Sequence, residues 1–179
     1  MIKFGILEIL KYSFRTLYIF LLSFFVIILV SINLNAEITT KPVLTLDIAS
    51  KMANSCINLA KESGWKVNIA IYESPGSLKY YSSMDGTYPA SEEISRLKGK
   101  TSAGLPYSTA ELRDMAFEGD SANNGILTLP GVILIKGGVP IILDDGYHIG
   151  GVGVSGDSGG NDENCAKIAA DVAKKLMVK

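Results

Sequence analysis

The amino-acid sequence predicts an α+β domain, a mainly antiparallel sheet of about five strands with helices packed on it. Tight-turn chemistry at Ser74-Pro75-Gly76-Ser77 and at Asp145-Gly146 joins neighbouring strands, so those strands run antiparallel. Apolar residues recur at helical spacing at both ends of the domain. The order helix, two strands, two helices, three strands, helix then suits one sheet with helices segregated around it.

A leader precedes the domain. Lys3, Lys11 and Arg15 form a positive start, and Leu17 to Ile32 follows as 16 residues without a charge. Leu34-Asn35-Ala36 is a cleavage motif, imperfect because Leu34 is not small, so residues 1–36 read as a secretory signal peptide cut after Ala36. The rival is an uncleaved anchor, but 16 residues fall short of the roughly 20 that span a bilayer upright. Residues 37–179 then form a periplasmic or secreted protein that meets a membrane only if the signal stays on. That mature part has 143 residues, enough for one core and too few for two. The leader removes three basic residues and one acidic one, so 14 basic and 17 acidic residues remain and the net charge is −3. No basic run interleaved with aromatics is present, so nucleic acid is not an expected partner.

Thr45 caps a first domain helix that reaches about Ser63, with Ile48, Met52, Cys56, Leu59 and Ala60 as its apolar stripe and Gly64 as its terminator. Val67 to Tyr72 is a strand, and Leu78 to Met84 returns beside it. Ser91 caps a second helix, with Glu92 and Glu93 in the first turn and Ile94, Leu97, Lys98 and Thr101 on one side. Ser108 to Glu111 is a capping box opening a shorter helix. Three strands follow, at Val132–Ile135, Val139–Leu143 and Tyr147–Ser155, the last two joined by a type I′ turn at Asp145-Gly146. Asn161 or Asp162 caps the final helix, and the two long terminal helices cover one face of the sheet together. Cys56 and Cys165 form a disulfide, which export permits, or stay as two separate buried thiols; sequence leaves both open.

Several motifs look like chemistry. Gly156-Asp157-Ser158-Gly159-Gly160 spells the nucleophile motif of trypsin-like proteases, but His148 is the only histidine and no carboxylate stands where that triad needs one. Gly151-Val152-Gly153-Val154-Ser155-Gly156 matches a dinucleotide fingerprint, yet no strand follows the last helix to complete a βαβ unit. The loop from Ser155 to Gly160 offers backbone N–H groups to an anion, with Asp157 and Asp162 opposing a strongly charged one. His148, on a regular strand, shares a face with Val152 and Val154; it is a packed residue or, for haem, an axial ligand. Met84, Tyr80, Tyr81 and Tyr107 are weaker ligand candidates, and no Cys or His cluster has zinc spacing.

Four stretches in order resemble the GlcG/HbpS-like family of haem-binding or haem-degrading proteins, which includes the C-terminal domain of PduO-type proteins. They are Leu44-Thr45-Leu46; Met84-Asp85-Gly86 with Ser91, Ile94, Lys98 and Thr101; Gly137-Gly138-Val139-Pro140-Ile141; and Gly150 to Gly156 followed by Asp162 to Ala166. The resemblance runs from about Leu44 to Leu176. It implies a profilin- or PAS-like fold, assembly into homo-oligomers and binding of a small molecule, with haem the best-supported cofactor. Family members also occur beside glycolate and diol metabolism. The chain departs from the pattern in three places. Ser83 stands where a basic residue is usual, Gly99 where Ala is usual, and Tyr147-His148 where small aliphatic residues are usual. Gly99 costs a helix about 1 kcal/mol relative to Ala.

The expected ligand site gathers Met84, Asp85, Lys98, Thr101, Gly137, Gly138, His148, Ser155 and Gly156, with His148 as the metal ligand. Lys98 meets a propionate or other carboxylate, Thr101 donates a hydrogen bond, and Gly150, Gly151 and Gly153 leave room for a flat ligand or a partner helix. The bland alternative is that these residues build a subunit interface. Three functions follow: an exported haem- or small-ligand-binding protein, an enzyme acting on haem or a small hydroxy acid, and an oligomeric module without a ligand. No acid–base pair in the sequence supports the second independently.

Overall fold

The computed structural model describes residues 14–25, 40–119 and 122–177, in two units, Met1–Lys41 and Pro42–Lys179. The first unit contains helix α1 (residues 14–25), whose large apolar side chains from Phe14 to Phe25 are exposed. None of the described helices is long and apolar enough to cross a membrane. The expected cleavage motif at Leu34 to Ala36 lies outside the described residues.

The second unit runs α2 (Leu46–Ser63), β1 (Asn68–Glu73), β2 (Ser77–Ser83), α3 (Ser91–Gly104), α4 (Thr109–Phe117), a 3-10 turn (Asn124–Thr128), β3 (Gly138–Ile142), β4 (His148–Ser155) and α5 (Gly159–Leu176). The sheet has the order β2-β1-β4-β3 and every neighbouring pair is antiparallel. The α+β class is as expected, but the sheet has four strands among the described residues, not about five. The segment expected as a fifth, Val132–Ile135, is irregular because side chains take its backbone groups. The Ile133 N–H donates to Thr101 Oγ1 at 3.1 Å, and the Ile135 carbonyl accepts from Thr109 Oγ1 at 2.7 Å.

Strand alternation explains the layers. Ile69 and Ile71 of β1 join Val152 and Val154 of β4 against Met52, Cys56, Ala166 and Ala170 of α2 and α5, the main core. Ala70 and Tyr72 face the other way, onto Ala103 of α3. Thr45 caps α2, and Gly64 ends it at φ 77°, a left-handed conformation that suits glycine. A disulfide joins Cys56 to Cys165, tying α2 to α5 with 4.8 Å between Cα atoms.

Three local expectations are corrected. Ser91 does not cap α3; its hydroxyl donates to the Tyr88 carbonyl at 2.6 Å and accepts from Asn68 Nδ2. Ser158, not Asn161 or Asp162, caps α5 through the Asn161 N–H. The β3–β4 turn is not type I′, since Asp144 and Asp145, like every described non-glycine residue, lack positive φ; in the turn Gly146 alone has it, at 83°, and its N–H closes the turn onto the Leu143 carbonyl. That is a type I turn followed by a left-handed glycine.

α3 buries Ser91, Ser95, Lys98, Gly99, Thr101, Ser102 and Ala103, while Ile94 and Leu97 are only half-buried. Small side chains are needed because the helix backbone lies directly on β4. A Cβ on Gly153 would strike the Ser95 carbonyl and the Gly99 N–H, and one on Gly151 would strike Ala103 N. A Cβ on Gly99 would come within 2.9 Å of the Ala70 carbonyl. The glycine that costs α3 helix propensity is therefore what lets it dock.

Candidate functional site

The residues expected to meet in one pocket are spread along the length of β4. His148 and Ser155 are its two ends, roughly 20 Å apart at about 3.3 Å per residue. The helix occupying Gly151 and Gly153 is the chain's own α3, so these glycines make no room for a flat ligand.

The end of β4 beside the α3 N-terminus gathers Met84, Asp85, Ser155 and Gly156. Met84 packs on the main core and donates its N–H to the Val67 carbonyl, while Asp85 is exposed. Ser155 is fully buried, its Oγ 3.2 Å from the Tyr88 hydroxyl. Gly156, at φ 148°, lets the chain pass Lys66, whose carbonyl a Cβ would strike. Asn68, which sequence reasoning missed, is 1% exposed, donates from Nδ2 to Ser91 Oγ at 2.6 Å, and leaves Oδ1 without a partner. The signal for it was an amide inside an otherwise apolar strand.

Midway along the sheet, Lys98 does not face a ligand. It is 1% exposed, and its Nζ donates to Asp162 Oδ2 at 2.9 Å and to the Val154 carbonyl at 2.8 Å. Asp162 is 2% exposed and also accepts the Asp157 N–H. Burial holds the Lys98 ammonium below the usual lysine range and lifts the Asp162 carboxyl above the usual aspartate range, each partly offset by the partner. Gly137 and Gly138 serve this pair and α3. A Cβ on Gly137 would come within 2.8 Å of Lys98 Nζ, and one on Gly138 within 2.7 Å of the Lys98 carbonyl. Lys98, Gly137 and Gly138 are thus structural, and Asp162 is the partner that sequence reasoning had assigned to a cap.

The other end, at the C-terminus of α3, gathers His148 and Thr101. A bulge at Ile149, where Ile141 pairs with Gly150 and Ile142 with His148, turns His148 away from the face of Val152 and Val154 expected for it. His148 is half-buried, and its Nε2 lies 2.8 Å from the Ser102 carbonyl. A carbonyl only accepts, so Nε2 carries the proton and, in the neutral ring, Nδ1 keeps the lone pair. Thr101 accepts the Ile133 N–H and retains its own hydroxyl proton to donate.

Thr101 also lines an open groove of about 280 Å³ with Pro75, Lys100, Leu105, Leu129 and Val132. Its walls are mainly apolar, with one ammonium, on Lys100, at the rim. His148 does not line it but lies at the same end of the sheet. Ser74, beside Pro75, donates its N–H to the carbonyl of Ile149, beside His148. A larger cleft of about 470 Å³ at the β3 edge is lined by Glu111, Asp114, Lys136, Glu163 and Lys167. Several of these charges are already engaged, Glu163 with Lys167 at 2.8 Å and Glu111 with the Ser108 N–H.

A family model described as "Haem degrading protein HbpS-like" matches residues 44–171. The chain belongs to the HbpS-like family. It is 35% identical over 116 residues to Protein GlcG of Escherichia coli K12, covering 65% of this chain and 84% of that one. An uncharacterized 15.0 kDa protein from the dhaT-dhaS intergenic region of Citrobacter freundii is 32% identical over 145 residues, 80% of this chain and 99% of that one. Among solved structures, a double mutant of Streptomyces reticuli HbpS superposes with TM-score 0.69 at 28% identity, over 77% of this chain and 92% of that one. The haem complex of PduOC superposes with TM-score 0.65 at 22% identity, over 73% of this chain and 95% of that one, a likeness of fold.

Proposed function

We propose that this HbpS-like protein is exported and binds haem, or a flat carboxylate-bearing ligand of similar shape, at the C-terminal end of α3. The observation that carries the reading is the orientation of His148. A histidine that ligates iron commonly donates its second ring N–H to a backbone carbonyl, which holds the ring and leaves one lone pair free. The Nε2 contact with the Ser102 carbonyl matches that pattern and leaves Nδ1 as the ligating atom. The nearby groove adds apolar walls in Leu105, Leu129 and Val132, a hydroxyl on Thr101 and an ammonium on Lys100. Lys100 therefore takes the carboxylate-binding role first expected of Lys98, which Asp162 already occupies.

Bound haem would supply a redox-active iron; the chain's own residues hold, orient and partly shield it. The groove is at the lower limit of ordinary small-molecule sites, roughly 300–1,000 Å³, so a tetrapyrrole there stays partly uncovered. The description of the family as haem degrading favours a second reading, in which the bound haem is a substrate. Hemin titration of the purified protein tests binding, and loss of the haem spectrum after addition of a reductant under air tests turnover. Export rests on the uncharged run from Leu17 to Ile32 and on the Cys56–Cys165 disulfide, which an oxidising compartment sustains.

A further inference from the structure

The cleft of about 470 Å³ at the β3 edge is within the ordinary size range of small-molecule sites, roughly 300–1,000 Å³. Val139 and Pro140 of β3 line it on one side, with Asp114 of α4 and Glu163 of α5 on others. β3 ends the sheet, so one of its edges has no neighbouring strand. Gly137 turns its carbonyl inward to the Val154 N–H, while the Gly138 N–H leaves by the open edge and meets Thr109 Oγ1 at 3.0 Å. Backbone direction alternates along a strand, so Pro140, two residues after Gly138, sends its carbonyl out by the same edge, on the side of the cleft it lines. Proline has no N–H, so this edge offers the cleft an acceptor without a donor beside it.

The charges of the cleft are three carboxylates, on Glu111, Asp114 and Glu163, and two ammoniums, on Lys136 and Lys167. Glu163 and Lys167 hold each other at 2.8 Å, and Glu111 is tied to the Ser108 N–H as half of a capping box. Arg113 reaches only Oδ1 of Asp114, which leaves Oδ2 open. Lys136 is half-buried and, among the described residues, has no ion pair or hydrogen bond. Its stem passes over the start of α5, where a Cβ on Gly159 would lie 3.0 Å from Lys136 Cβ. The open groups are thus one cation, one carboxylate oxygen and one backbone carbonyl. A phosphate-like dianion satisfies Lys136 but meets the carboxylates, and a plain amine satisfies Asp114 but meets Lys136. A molecule carrying both signs makes a charge-assisted hydrogen bond at each end.

We infer that this cleft binds a small zwitterion of the amino-acid class, its carboxylate on Lys136 and its ammonium toward Asp114 and the Pro140 carbonyl. The cleft shares no lining residue with the groove at the C-terminal end of α3, so the inference does not rest on the haem reading. The test is calorimetric titration of the purified protein with glycine, 4-aminobutyrate and 6-aminohexanoate, which hold the two charges at increasing separation. Each is compared with the carboxylate and the amine of the same length: acetate and methylamine, butyrate and butylamine, hexanoate and hexylamine. The titrations are repeated on Lys136→Met and Asp114→Asn, with circular dichroism to check that each variant is folded. At least one of the three zwitterions should bind saturably at one per chain, at least tenfold more tightly than its single-charge counterparts. Lys136→Met and Asp114→Asn should each weaken that binding at least tenfold. Absence of binding by all three zwitterions overturns the inference. So does a carboxylate or amine that binds as tightly as its zwitterion, or a folded variant of either residue that binds as the parent does.

Discussion

Replacing Lys98 with Met should destabilise the domain by about 3–5 kcal/mol at neutral pH, because it leaves a buried carboxylate without its cation. Lys98 and Asp162 are 1% and 2% exposed, and the ammonium has two protein acceptors, the Val154 carbonyl and Asp162 Oδ2. Met fills the volume of the stem and offers nothing to either acceptor. Asp162 keeps only the Asp157 N–H. For a domain of this size the loss corresponds to about 10–20 °C in Tm, read by calorimetry or urea titration. The pH dependence follows from the sign of the Asp162 shift. Burial already lifts its folded carboxyl above the unfolded value, and the Lys98 ammonium is what lowers it. Without Lys98 it rises further, so the folded variant binds a proton that the unfolded chain does not. That penalty is full above the raised folded value and vanishes as pH falls through it to the unfolded aspartate range. The deficit of Lys98→Met should therefore shrink between pH 7 and pH 4. Pairing Lys98→Met with Asp162→Leu should recover most of the loss, since a packed apolar pair avoids desolvating either charge. A single variant that costs under 1 kcal/mol, or a deficit that grows on acidification, would show that Lys98 does not neutralise a buried Asp162 carboxylate.

Breaking the Cys56–Cys165 link, by reduction or by Cys165→Ala, should lower stability by up to about 4–5 kcal/mol in the chain-entropy model, because the bond closes a loop of 109 residues. Denatured, unreduced protein should take up no alkylating reagent. Gly153→Ala should cost about 1–3 kcal/mol or abolish folding, since its Cβ would strike α3 backbone. Gly160→Ala in the first turn of α5 meets nothing within 4 Å and should stabilise by about 0.4–1 kcal/mol. Intact-mass analysis of the exported protein should give a chain beginning at Glu37; a mass retaining residues 1–36 would instead mark an anchor.

The layers of the fold were legible in the sequence because they follow local periodicity. Met52, Cys56 and Ala60 recur on one side of α2, and Ile69 and Ile71 alternate along β1, so the main core could be read before the structure. Turn and cap chemistry was legible where one residue decides it, as with Thr45, Gly64 and the Ser108 capping box. The fifth strand was misread because Val132–Ile135 is apolar enough for a strand, while its backbone partners are threonines some 30 positions away.

The site was less legible for the same reason. Lys98 and Asp162 are 64 positions apart, and no spacing rule reveals that they neutralise each other. Gly151 and Gly153 signal a close approach but not what approaches, and α3 was as compatible with them as a ligand. His148 was placed on the wrong face because one extra residue at Ile149 reverses the alternation.

Haem ligation by His148 is tested most directly by a hemin titration of the parent and of His148→Ala, followed by absorbance in the Soret region. The parent should give a shifted, saturable Soret band at one haem per chain. His148→Ala should give a band like that of free hemin, with unchanged far-ultraviolet circular dichroism. A parent that leaves the hemin spectrum unchanged, or a His148→Ala variant that binds with the parent's band and affinity, would contradict that ligation.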